Sequence, residues 1–112
     1  MQRKYDENNV FWKIIVGDIP CDKVYEDENV LCFHDLNPKS PVHVLLVPKR
    51  KFVCFDDFVE GSSDEEIAYF FRIARKIAKD LGCESYRIVA NCGRGAEQVI
   101  FHYHLHIMGY NY

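Results

Sequence analysis

A chain of 112 residues, 48% of them hydrophobic, has room for one core, so a single domain over residues 1–112 is expected. The net charge of −3 and a pI near 5.9 exclude a general electrostatic pull on nucleic acid or anionic membrane, so neither is expected as a partner and any phosphate must be held by a local site. Five cysteines, Cys21, Cys32, Cys54, Cys83 and Cys92, without a CxxC pair, argue against a disulfide framework or a zinc knuckle and suit a reducing, cytoplasmic setting.

Met1 to Glu7 lacks the apolar centre of a signal peptide, and no stretch approaches the roughly 18 apolar residues of a membrane span, so a soluble, unprocessed protein is expected. Asn8 or Asn9 can cap a short helix through Val10, Phe11, Trp12, Ile14 and Ile15, which Gly17 ends. Strand-like runs at Lys23 to Glu26 and Val30 to Asp35 flank the polar Asp27-Glu28-Asn29 and read as a hairpin. A third run, Val42 to Val47, follows the turn Asn37-Pro38-Lys39-Ser40-Pro41 and is closed by Pro48.

From Asp64 to Leu81 the residues Ile67, Phe70, Phe71, Ala74, Ile77, Ala78 and Leu81 keep a helical apolar stripe that a sheet must cover. Ser63 with Glu66 makes a capping box, and Gly82 marks the stop. Strands over Tyr86 to Asn91 and Ile100 to Met108 enclose the glycine-bearing loop Cys92-Gly93-Arg94-Gly95-Ala96-Glu97. The short links favour an α+β domain: a five-stranded antiparallel sheet carrying one long and one short helix on one side.

The last strand carries the chemistry. His102, His104 and His106 alternate with Tyr103, Leu105 and Ile107, and a strand's period of two puts the three imidazoles on one face about 6.6 Å apart. One neutral ring can attack while another donates a proton or a hydrogen bond to an anion, which suits nucleotidyl or phosphoryl transfer with His104, central in the row, as nucleophile. Amides of the glycine loop can face the row. The competing reading is a metal half-site. Outer rings about 13 Å apart cannot converge on one ion, so a metal needs two of them plus Asp35, His34 or His43. The bland alternative is a solvated strand face.

The run Gln98-Val99-Ile100-Phe101-His102-Tyr103-His104-Leu105-His106 resembles the signature of the histidine triad (HIT) family. The similarity continues through Phe11-Trp12-Lys13-Ile14-Ile15 with Ile19-Pro20, Phe33-His34-Asp35-Leu36-Asn37-Pro38, and His43-Val44-Leu45-Leu46-Val47-Pro48-Lys49, in the family's order. It is closest to the Hint-like branch of purine nucleoside phosphoramidases. The resemblance implies a hydrolase that cleaves AMP-amine conjugates through a nucleotidyl-histidine on His104. His102 would support its orientation, His106 would hydrogen-bond phosphate or leaving group, and His43 would support the triad.

By the same resemblance Asp35 would hold the ribose hydroxyls, Phe33 and Leu36 would line the base pocket, Asn91 would contact phosphate, and Gln98 and Val99 would belong to the substrate site. No metal or other cofactor is implied. A homodimer is; on the long helix Tyr69 or Phe70 is a candidate interface aromatic, with core packing as the default reading of both. The alternative is a catalytically weak nucleotide-binding or metal-binding protein. His34 reads as solvent-facing, Arg94 as an exposed loop residue without a specific role, and the cysteines as core packing.

Two departures stand out. Hint-like proteins typically carry Gly-Gln-Ser before the triad, where this chain has Glu97-Gln98-Val99, which predicts weaker phosphoramidase activity. The chain also stops at Tyr110-Asn111-Tyr112, whereas Hint-like relatives usually have a longer tail toward the partner's site, so the resemblance carries no leaving-group preference over to this chain.

Overall fold

A computed structural model describes residues 4–110; Met1 to Arg3 and the terminal Asn111-Tyr112, on which expectations about the leader and the tail rest, lie outside the described residues. The elements run α1 (Val10–Ile15), β1 (Lys23–Glu26), β2 (Val30–His34), β3 (Val42–Pro48), α2 (Phe55–Glu60), α3 (Asp64–Asp80), β4 (Ser85–Val89) and β5 (Leu105–Tyr110). The five strands form one antiparallel sheet in the order β1-β2-β3-β5-β4. The expected α+β class and five-stranded sheet are what the structure has.

Local chemistry sets most boundaries. The Asn9 side chain accepts from Trp12 N–H at the start of α1, and Gly17, at φ +89°, takes the left-handed turn after it. α3 opens with the full Ser63–Glu66 capping box. Its apolar stripe, Phe70, Ile73, Ala74, Ile77 and Ala78, packs on Val30, Cys32, Val44, Leu46, Leu105 and Ile107 from the sheet. Cys32, Cys54 and Cys83 are buried, and all five cysteines are free thiols.

Three expectations need correction. The helices do not share one side. Phe11 of α1 packs with Leu31, Phe33, Leu45 and Val47, the residues alternate to those beneath α3, so α1 covers the opposite face. A second short helix, α2, also forms; it is too short to declare itself by periodicity and is held by tertiary packing, with the Phe58 ring stacked on Tyr103 at 4.6 Å.

The third correction bears on function. The strand predicted from Ile100 begins only at Leu105, so His102 and His104 precede it and only His106 lies within it. The register explains why. Leu46 faces Leu105, so the next ladder partner of Tyr103 is Pro48, which has no N–H to give. Tyr103 N–H bonds instead to Phe52 O at 2.7 Å, and the Pro48 carbonyl is taken by a histidine ring.

Candidate active site

The three histidines therefore have three different anchorages. His102 is wholly buried; its Nε2 lies 2.7 Å from the Pro48 carbonyl, which can only accept, so Nε2 carries the proton and Nδ1 the lone pair. The hydroxyl of Tyr5 donates to that Nδ1 at 2.5 Å. His104 places Nδ1 2.7 Å from the carbonyl of His102. By the same logic Nδ1–H donates, and Nε2 keeps an unprotonated lone pair. The edge of Phe11 packs on the His104 ring, with centroids 4.9 Å apart and planes at 88°.

His106 receives its tautomer from a relay. The backbone N–H of Lys39 donates to His43 Nδ1 at 3.0 Å, which leaves the proton of His43 on Nε2. That Nε2 lies 2.9 Å from His106 Nδ1 and 3.5 Å from the Asp35 carboxylate. His43 therefore donates to His106 Nδ1, and His106 is left presenting Nε2–H. The His104 and His106 rings are 5.1 Å apart. A lone pair on one and a donor on the other stand side by side.

Electrostatics keep all four rings neutral at pH 7. Burial lowers His102 to about 4, outweighing its hydrogen bond to Pro48. Burial, joined by His104 and His43, takes His106 to about 4 as well. His104 and His43 are lowered by burial too, each opposed in part by Asp35, and His104 also by its bond to the His102 carbonyl. A neutral His104 is a competent nucleophile without prior loss of a proton.

His43, His104 and His106 line a cleft of about 400 Å³, a size suited to a small-molecule ligand. Asp35, Asn91 and Val99 line it as well, so these sequence-predicted positions are brought together. Phe11, Leu45 and Ile100 supply its apolar wall. A second cavity, of about 340 Å³, lies on the α3 face among Val30, Phe52, Phe58 and Phe70, away from the histidines.

Other predicted positions fall elsewhere. Leu36 is 91% exposed and does not line the cleft, because the turn after β2 points it to solvent. Phe33 is buried and reaches the site only through Phe11, its edge-on neighbour. His102 also stands behind the lining. Gln98 is buried with its amide spent on backbone: it accepts from Gly93 N–H and donates to the carbonyls of Val53 and Ile100, so it shapes the loop. His34 is exposed at the end of β2, Arg94 lies over the Phe101 ring, Tyr69 is partly exposed, and Phe70 is core.

Sequence reasoning missed three participants. Tyr5 lies 97 residues from His102, and nothing in its neighbourhood marks it. The Lys39 amide is invisible in a side-chain pattern, although the turn before His43 could have suggested it. Phe11 reads from sequence only as helix core.

A HIT domain profile matches residues 16–111. A 13.2 kDa HIT-like protein of Azospirillum brasilense is 45% identical over 109 residues, covering 96% of this chain and 89% of the relative. A 14 kDa zinc-binding protein of Zea mays is 38% identical over 116 residues, covering 97% and 87%. Among solved structures, a HIT family hydrolase from Clostridium thermocellum superposes with a TM-score of 0.85 at 40% identity, covering 93% of this chain and 91% of that one.

Proposed function

The chain belongs to the HIT family, and from that premise we propose that it is a hydrolase of the nucleoside phosphoramidase type, acting on AMP-amine conjugates through a nucleotidyl-histidine. One observation carries the reading: the hydrogen bonds leave His104 with a free Nε2 lone pair and the adjacent His106 with an Nε2–H. A nucleophile and an anion donor are thus set in opposite tautomers without any charge on either ring.

In this reaction His104 Nε2 attacks the phosphorus of a nucleoside 5′-phosphoramidate. The N–P bond to histidine forms, the P–N bond to the amine breaks, and the amine leaves with a proton taken up from solvent, which the water of the second step gives back. Water then attacks the same phosphorus, returning His104 and releasing the nucleoside monophosphate. His106 Nε2–H stabilises charge on the phosphate oxygens or the leaving group, and His102 holds the attacking ring through its carbonyl. Asp35 binds the ribose hydroxyls, Asn91 contacts phosphate, and the base packs on the wall of Phe11, Leu45 and Ile100.

Turnover of adenosine 5′-phosphoramidate in the presence of chelator, beside His104→Ala, tests the reading, together with mass spectrometry for an adenylyl adduct. Turnover lost in the variant and an adduct on His104 support it. Turnover retained in His104→Ala, or binding of AMP without turnover, overturns it.

Metal binding is the second reading, favoured by one observation: ligand atoms of Asp35, His43 and His106 lie within 4.8 Å of one another. The maize relative is described as zinc-binding. The donor set does not fit well. An ion on His43 Nε2 requires a neutral ring with its proton on Nδ1, where the Lys39 N–H already points.

A homodimer is proposed on the resemblance alone. β4 is a sheet edge with Ile88 half exposed, which suits an interface, and a monomer in light scattering at micromolar concentration would remove the proposal.

A further inference from the structure

Glu97 combines three properties. Its backbone lies at φ +68°, the only non-glycine residue in the left-handed region among the described residues, where Cβ crowds the following carbonyl. It lines the same cleft as His104 and His106. Its carboxylate is exposed and, among the described residues, has no ion-pair partner; Arg94, three residues earlier, is engaged with Phe101 instead. A strained, unpaired acid at a binding cleft is the kind of outlier from which a role is inferred.

The charges of the cleft say which role. With the imidazoles neutral, the charged residues lining it are Lys39 on one side of the balance and Asp35 and Glu97 on the other. A second carboxylate repels a phosphate and any anionic leaving group, so it is a liability for a purely anionic ligand. It becomes an asset when the ligand carries a positive charge beyond the phosphate.

We propose that Glu97 is a specificity determinant that selects nucleoside monophosphate conjugates whose amine leaving group bears a second, ammonium group and rejects those bearing a carboxylate. The assignment rests on the hydrolase reading for the reaction, but not for the binding preference. Glu97 touches no reacting atom; it acts on the distal part of the leaving group.

The test uses three adenosine 5′-phosphoramidates whose amine chains have equal length and end in ammonium, methyl or carboxylate. Affinity is measured by calorimetry on the His104→Asn protein, which cannot turn the compounds over, and kcat/KM is measured on protein with His104 intact. Both are repeated with Glu97→Gln, Glu97→Gly and Glu97→Lys. Affinity and kcat/KM are expected to fall in the order ammonium, methyl, carboxylate, by about threefold to tenfold per step, the range for a charge acting through a partly solvated cleft. Glu97→Gln and Glu97→Gly are expected to level the series, and Glu97→Lys to invert it. Equal affinities in the parent, or an order unchanged in Glu97→Gln, overturn the proposal, as does failure of all three compounds to bind. Ordered binding without turnover by protein with His104 intact supports the Glu97 assignment and overturns the hydrolase reading alone.

Discussion

The hydroxyl of Tyr5 donates to Nδ1 of His102, and through the carbonyl of His102 that contact reaches the ring of His104. Tyr5→Phe leaves a buried ring nitrogen without its donor. A loss of about 1–3 kcal/mol in chemical denaturation is expected. Turnover is expected to fall several-fold through kcat with KM little changed, because the anchor of the His104 ring loosens while the cleft stays intact. Unchanged kcat in Tyr5→Phe would show that His102 needs no second anchor.

The Lys39–His43–His106 relay predicts a difference between two kinds of substitution. His43→Ala frees His106 to take either tautomer, so kcat is expected to drop about tenfold, less than the roughly 100-fold or more lost with a positioned acid–base group itself, because His106 still presents its donor in part of the population. His106→Gln keeps an N–H donor near the ring's Nε2 and is expected to retain more activity than His106→Ala. Steady-state kinetics on the three variants decides this, and equal losses in His106→Gln and His106→Ala would exclude a donor role.

The depressed histidines set the acid limb of stability. Below pH 6.5 the unfolded chain takes up protons that the folded protein refuses, since His102 and His106 titrate near 4 in the fold. Their contribution is therefore full above about pH 6.5 and is lost as pH falls toward 4. His102 alone accounts for about 3 kcal/mol over that window, on the conversion of 1.36 kcal/mol per pKa unit. Denaturant unfolding at pH 7, 6, 5 and 4 is expected to show this decline, and His102→Gln is expected to flatten it. A profile level from pH 7 to 4 would remove the assignment.

Val99 is 81% exposed and lines the cleft that holds His104 and His106. Val99→Ser is expected to raise turnover of adenosine 5′-phosphoramidate by several-fold with no loss of stability, because no packing is given up. No change in kcat would show that this position does not assist the departing amine.

The sequence by itself determined the parts whose cause is local. The Asn9 and Ser63 caps, the apolar stripe of α3 and the alternation of β2 and β3 each follow from side chains a few residues apart, and the structure has them. His104 and His106 stood out by alternation, and His43 and Asp35 by an order and spacing that match a family pattern; the structure brings the four to one cleft. Tertiary structure decided what depends on partners far along the chain. Pro48, opposite Tyr103, stops the last strand and gives its carbonyl to His102. Tyr5 reaches the same ring from the other end of the chain, and the Lys39 amide sets the proton on His43. A tautomer is fixed by whichever donor or acceptor the fold brings within 3 Å, and no residue pattern encodes that distance. The row of histidines and the choice of His104 as nucleophile were legible in sequence; the hydrogen bonds that set each ring's tautomer were not.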